Sequence, residues 1–337
     1  MNKYYCRLIF SLLSKLTFPR LLNIIKLKIS YLITYFSGRY VRWGEPWTAS
    51  IEPSALCNLQ CPECPIGSHI LTRPSNFINT DDFTSWLEQM QPQLFYLILY
   101  FQGEPLLHPN FPELINIAHL RRVHILTSTN AQTITEPLAR KLVEAGLDEI
   151  IVSVDGTTEE TYRQYRRGGT LEKATRGIEN LVKARKVLGK KNPFIRLQFI
   201  VMRHNEHQIQ EIKVLGKKLG ADRVELKTAQ IYDPTDPNII LPSNPKFARY
   251  KVNRQGLLEI KKKRHKGCMK MWGGTVLTWD GKVLPCCYDK DAEHAFGQTT
   301  ATQTVKNILN NPTSRTFRLK VMQSRSHYDM CKNCHER

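Results

Sequence analysis

No apolar run in the 337 residues reaches the ~20 uninterrupted positions that one bilayer-crossing helix needs. No internal repeat, collagen-like tract or long low-complexity segment is present either, so the chain reads as an ordinary folded protein. A secretory signal is also missing. Residues 1–20 begin basic and apolar, but Lys15 and Arg20 interrupt the run and no small-residue cleavage site follows. Acidic residues are scarce in two places. Residues 1–50 hold one acid against eight Lys/Arg, and residues 246–270 hold one against ten; together they carry 16 of the 19 net positive charges. The remainder is nearly balanced, which excludes a protein that coats nucleic acid along its length, and no nucleic-acid partner is expected. For "EIKKKRHKGCMK" (259–270) a solvated face and a phosphate- or membrane-facing role both stay open.

What is present in clusters is cysteine. Cys57, Cys61 and Cys64 fall within eight residues, and no fourth cysteine follows for two hundred positions. Cys268, Cys286, Cys287, Cys331 and Cys334 lie near the C-terminus, and Cys6 stands alone, a buried inert thiol by default. Clustered cysteines in a large chain read as metal ligands in a reducing, cytoplasmic compartment rather than as a disulfide framework.

From about residue 46, strand-like runs alternate with helix-like segments. The strands are 47–53, 94–102, 123–130, 148–156, 194–202 and 222–228. Capping signals mark the helices: Thr80 or Asp81 before "FTSWLEQM", and Thr135 with Gly146 around "EPLARKLVEA". Alternation with nearly all-apolar strands predicts a parallel sheet buried on both faces. Six units are too few for an eight-stranded barrel, so the expected fold class is α/β, a partial (β/α)6 TIM-like barrel. It spans 46–235, with a boundary in the proline-rich "DPTDPNIILPSNP" (233–245). A small Cys-rich α+β unit, 246–337, follows; its thin core suggests folding that relies on metal.

The first unit, 1–45, is a basic amphipathic segment. Within 18–40, Asn23, Lys26, Ser30 and Thr34 form a narrow polar stripe on a mostly apolar helix, with Pro19 in its first turn and Ser37-Gly38 at its end. Such a helix either lies on the inner face of a membrane or packs on protein.

Ligand sites in parallel α/β sheets gather at the carboxyl ends of strands. Cys57, Cys61 and Cys64 directly follow the first strand. Three thiolates hold three irons of a [4Fe–4S] cube and leave the fourth open for a ligand; with His69 they could instead close a tetrahedron around zinc. After the second strand comes "QGEPLLHP" (102–109). Here Gly103 permits close backbone approach, and Glu104 offers a carboxylate to a cation. The fourth strand ends in "SVDG" (153–156), where Ser153 and Asp155 suit ribose hydroxyls, and "ETYRQYRRGG" (160–169) supplies guanidiniums for a carboxylate. Together these describe a pocket for an amino acid joined to a nucleoside.

The CxxxCxxC triad followed by a GEP motif resembles the radical S-adenosylmethionine superfamily, over roughly residues 46–230. The resemblance implies that Cys57, Cys61 and Cys64 ligate a [4Fe–4S] cluster whose open iron takes S-adenosylmethionine. It implies that Glu104 meets the methionine ammonium, Ser153 and Asp155 lie near the ribose, and Arg166 faces the methionine carboxylate. Gln102 stands where a glycine is usual, and Glu63 where an aromatic is usual. In the C-terminal unit, Asp280-Gly281 reads as a hairpin turn. Cys268, Cys286, Cys331 and Cys334 resemble the ligands of a SPASM/Twitch auxiliary [4Fe–4S] domain, with Cys287 as an alternative to Cys286 and a structural zinc site as an alternative filling. The activity implied is reductive cleavage of S-adenosylmethionine to a 5′-deoxyadenosyl radical, with flavodoxin or ferredoxin as electron donor. That radical would abstract hydrogen from a sugar, cyclitol or lipid-linked precursor in a possible net oxidation. Alternatives are modification of a ribosomally made peptide and a non-catalytic iron–sulfur or zinc protein.

Overall fold

The computed structural model describes residues 3–231, 240–261 and 265–334, with side chains from residue 7 onward. Cys6, the middle of the 259–270 basic run and most of the proline-rich boundary therefore lie outside the described residues.

Each expected strand is found. The barrel strands are β1 (Thr48–Ile51), β2 (Tyr96–Ile98), β3 (His124–Thr129), β4 (Glu149–Ser153), β5 (Phe194–Val201) and β6 (Arg223–Thr228). They pair in parallel and in chain order. Several intervening helices begin at side-chain caps: Thr135 accepts from Leu138 N and Thr170 from Lys173 N. Ahead of Thr80–Gln89 the cap is Asn79, not Thr80 or Asp81. Its side chain accepts from Asp81 N, which leaves both expected caps inside the first turn.

The strands are less uniformly apolar than expected. Alternate residues point outward under the helices, as Ile150 and Val152, Ile195 and Leu197 do. The inner positions are largely polar. At the amino end of the barrel His124 Nε2 lies 3.0 Å from Glu149 Oε1, and Arg196 pairs with Glu149 at 2.8 Å. Further up the same faces, Ser153, Gln198 and Lys227 line a cavity at the carboxyl end. Polar ladders inside a small barrel leave no oily core there and direct the ligand site to one mouth.

The C-terminal unit does not stand apart. Its strands β7 (Tyr250–Val252) and β8 (Leu258–Ile260) form a separate antiparallel pair, whereas β9 (Gly274–Leu277) pairs in parallel with β1, and β10 (Lys282–Leu284) and β11 (Gly297–Gln298) extend the sheet antiparallel. One nine-stranded sheet results, in the order β11-β10-β9-β1-β2-β3-β4-β5-β6. The β9–β10 turn is the expected one, with Gly281 at φ +84°. Phe296, Ile308, Phe317 and Val321 join the same apolar cluster as the barrel core. The thin separate core expected of this unit is thus a shared one, because β9 completes the exposed edge of β1.

At the N-terminus, α1 (Lys3–Leu13) lies across the amino ends of the barrel strands. Arg7 pairs with Asp222 at 3.2 Å, Lys15 pairs with Asp148, and Ser11 Oγ is 3.3 Å from His124 Nδ1. Next comes α2 (Phe18–Ser37), with Pro19 in its first turn and Gly38 closing it at φ +69°. No single described helix is long and apolar enough to cross a membrane; α1 and α2 pass that test only as a pair bent by 99°.

Candidate active site

The loop after β1 brings Cys57, Cys61 and Cys64 to the carboxyl end of the barrel. Its path is held by backbone contacts: Gln60 N donates to Arg167 O at 2.9 Å and Cys64 N to Cys61 O at 3.1 Å. Gly67 packs on it so closely that a Cβ would sit 2.4 Å from Cys61 N. Gly103 is required in the same way. It has φ +71°, and a Cβ would meet Ser54 O at 2.4 Å, so "QGEP" can lie flat against the cysteine loop only with glycine there.

The three thiols, Gly103, Glu104, Ser153 and Arg166 all line one cavity of about 520 Å³. Glu104 is buried. Its carboxylate accepts from Thr129 Oγ1 at 2.7 Å, Leu106 N at 3.1 Å and Asn130 N at 2.7 Å. A carboxylate has about four acceptor positions, so three are filled by protein and one is left for a ligand cation. Burial pushes the Glu104 carboxyl above its usual range, against the pull of those three donors.

Asp155 differs from the expectation. It is fully buried and does not line the cavity. Its oxygens are taken by Arg166 Nε and by Ile200 N, each at 2.6 Å. A carboxylate tied in this way holds the Arg166 guanidinium in place. The guanidinium of Arg166 then reaches within 3.8 Å of Cys61 Sγ. Ser153 lines the cavity wall.

Several residues in and around the cavity stand outside every sequence motif. Glu52, one residue past β1, is buried and paired with Arg73, whose Nη1 donates to it at 2.8 Å. Its oxygens also accept from Gln102 N and Trp279 N, each at 3.2 Å. One carboxylate thereby joins the first strand, the GEP loop and the C-terminal hairpin. A lone charge at the end of an apolar strand was the available clue. Asn130 Nδ2 pins Asn58 at 2.8 Å. Lys227, Arg249 and Lys290 line the far side. The Nη1 of Arg249 is buried without a hydrogen-bond partner among the described residues.

The donor sets suit iron–sulfur clusters. Burial pushes the Cys57 thiol up to about 12 and raises Cys61 too, so as plain thiols they would stay protonated; a bound iron replaces the proton and removes that penalty. In the second group, Cys268, Cys286, Cys331 and Cys334 face one small cavity walled by Met271, Phe317, Val321 and Met330. Burial pushes Cys331 up to about 12 and Cys286 well above the ordinary range. Cys287 faces away from that cavity, packed with Phe101 and Leu284. Among the described residues, no three His, Cys, Asp or Glu side chains converge as one metal ion would need. A cube offers a separate iron to each thiolate, so its ligands need not meet at one point. His69 lies outside the 520 Å³ cavity.

Comparison with known proteins agrees with this arrangement. The sequence model of the radical SAM superfamily matches residues 51–214, and that of an iron–sulfur cluster-binding domain, SPASM, matches residues 268–335. The chain is 30% identical over 258 residues to the PqqA peptide cyclase of Gluconobacter oxydans, covering 72% of this chain and 70% of that one. It is 26% identical over 272 residues to the AdoMet-dependent heme synthase of Methanosarcina barkeri, covering 70% and 75%. In fold it resembles Streptococcus suis SuiB bound to S-adenosylmethionine, with TM-score 0.61 and 15% identity over 86% of this chain and 72% of that one.

Proposed function

The chain belongs to the radical S-adenosylmethionine superfamily and carries a SPASM iron–sulfur domain, and from that premise we propose that it modifies a peptide by hydrogen abstraction at an aliphatic carbon. It is an enzyme that uses a [4Fe–4S] cluster, S-adenosylmethionine and an auxiliary cluster domain. When bound, these groups supply an electron, a 5′-deoxyadenosyl radical and an acceptor for the electron left on the substrate.

The protein's own residues do the positioning. Cys57, Cys61 and Cys64 hold the first cluster, and Glu104 takes the methionine ammonium at its one free acceptor site. Arg166, aimed by Asp155, takes the methionine carboxylate, and Ser153 meets the ribose. Cys268, Cys286, Cys331 and Cys334 hold the second cluster. The observation that carries the reading is one cavity of about 520 Å³ lined by the cysteine triad, Glu104 and Arg166 and also by Lys227, Arg249 and Lys290, which leaves room for a substrate beside S-adenosylmethionine. The unpartnered Nη1 of Arg249, with Lys290 on the same cavity wall, calls for an anionic group on that substrate.

The sugar, cyclitol or lipid-linked precursor favoured by the sequence has less support than the peptide, because a curated relative with 30% identity is a peptide cyclase. A reducing, cytoplasmic location and a flavodoxin- or ferredoxin-type donor belong to the same proposal.

The test uses deuterated cell extract split into peptide, glycan-lipid and small-molecule fractions, each incubated with dithionite, S-adenosylmethionine and the reconstituted enzyme. Deuterium in 5′-deoxyadenosine from the peptide fraction is expected. Deuterium only from another fraction overturns the peptide reading.

A further inference from the structure

Helix α2 is built inside out. Its polar residues face the protein: Arg20, Asn23, Ser30 and Thr34 are buried together with Leu27. Each has a built-in partner. Arg20 donates to the carbonyls of Pro92, Arg121 and Arg122 at 3.0, 3.2 and 2.6 Å. Asn23 exchanges two 2.9 Å bonds with the backbone of Glu45. Thr34 does the same with Val41 at 2.9 and 3.0 Å, and Trp272 Nε1 donates to Ser30 Oγ at 3.3 Å. These bonds fix the roll of the helix, so its apolar side cannot turn inward without orphaning buried polar groups.

That apolar side is in solvent. Phe18 is 76% exposed and Phe36 80%, with Leu21, Ile25, Ile29 and Leu32 exposed between them. At about 3.6 residues per turn these fall on one stripe. Lys28 stands on one edge of it and Lys26 on the other, both exposed. Lys266, from the second basic stretch, sits 4.3 Å over the ring of Tyr35 near the end of the same helix. The two basic stretches are therefore neighbours in space. An apolar stripe this long, edged by cations, suits an interface with acyl chains below and anionic headgroups at the sides. A second copy of the chain would bring the same lysines against each other.

We propose that α2 lies in the interface of a bilayer containing anionic lipid. The contact is separate from the catalytic mouth, since Arg20 in the first turn of α2 bonds to Pro92, Arg121 and Arg122, just ahead of β2 and β3 at their amino ends, and the cavity opens at the carboxyl end. This inference does not depend on the substrate class.

The test is co-sedimentation of the full-length, cluster-loaded enzyme with vesicles of phosphatidylcholine alone or mixed with phosphatidylglycerol, together with its sedimentation mass without lipid. Pelleting with the mixed vesicles only, weakened by salt, is expected. Lys26→Gln/Lys28→Gln should weaken binding roughly thirtyfold at low salt. Ile25→Gln/Ile29→Gln/Leu32→Gln should abolish it, and both variants should cleave S-adenosylmethionine as the parent does. Indifference of the parent enzyme to anionic vesicles overturns the proposal. So does a lipid-free dimer that the triple variant dissociates. Because the parent and the charge variant retain the apolar stripe, misfolding of the triple variant would leave the vesicle and salt comparison decisive.

Discussion

The two cysteine groups obey opposite rules. The first has three thiols on a loop, and that loop opens on a cavity of about 520 Å³ with polar walls. The second has four thiols drawn from three separate chain segments, closed in by Met271, Phe317, Val321 and Met330. In the proposed assignment the first group leaves one iron open to a ligand, whereas the second supplies four thiols under apolar side chains. Position follows the same division. The triad lies at a strand carboxyl end, where a parallel sheet leaves room for ligands, whereas the tetrad is folded against the shared core. An incomplete ligand set at an open mouth marks reactivity, and a complete one under apolar cover marks electron storage or support.

The sharpest way to break this contrast is Cys61→Ala. Two thiolates cannot hold a cube with one open iron, so 5′-deoxyadenosine formation measured by chromatography should be lost altogether. Persistent cleavage would move the catalytic role elsewhere. Next is a pair of variants in the second group. Cys286→Ser should lose the auxiliary cluster, seen as a fall in bound iron and sulfide, while Cys287→Ser should keep it. The reverse result would mean that the Cys287 side of the loop turns to the tetrad.

Glu52→Ala then tests the connection between the groups. It leaves Arg73 buried without its partner, at a cost of about 3–5 kcal/mol, and should lower the thermal midpoint of the cluster-loaded protein. An unchanged midpoint would show that the two units do not depend on this carboxylate. The smallest expected effect is at Glu104. The proposed charge-assisted bond from the methionine ammonium to its carboxylate is worth about 1.5–3 kcal/mol. Glu104→Ala should therefore raise the dissociation constant for S-adenosylmethionine by roughly tenfold or more, with the first cluster retained. Equal affinity in the two proteins would mean that the remaining acceptor site of Glu104 does not face the ligand.

Much of this contrast was legible in the residues. The triad spacing, the GEP motif and the six apolar runs each rest on local rules, so β1 to β6 and Gly103 fall where expected. Asp155 shows the limit. Its type and place beside a strand end suit ribose, but whether a carboxylate meets a ligand or a neighbouring arginine depends on residues 11 and 45 positions away. Glu52 was missed for the same reason, since its partners lie at Arg73, Gln102 and Trp279. Cys286 and Cys287 are adjacent, and only the turn of the loop separates a ligand candidate from a core thiol.

By itself the sequence determined the element order, the chemistry of the cysteine groups and the amphipathic character of α2, because periodicity, capping and ligand spacing act within a few residues. Tertiary structure alone decided that β9 would complete the edge of β1 and merge the two cores. It also decided that Asp155 would serve Arg166, and that the polar side of α2 would face inward. These outcomes depend on which distant backbone groups and charges need partners once buried, because each buried polar group left unpaired costs about 1–3 kcal/mol.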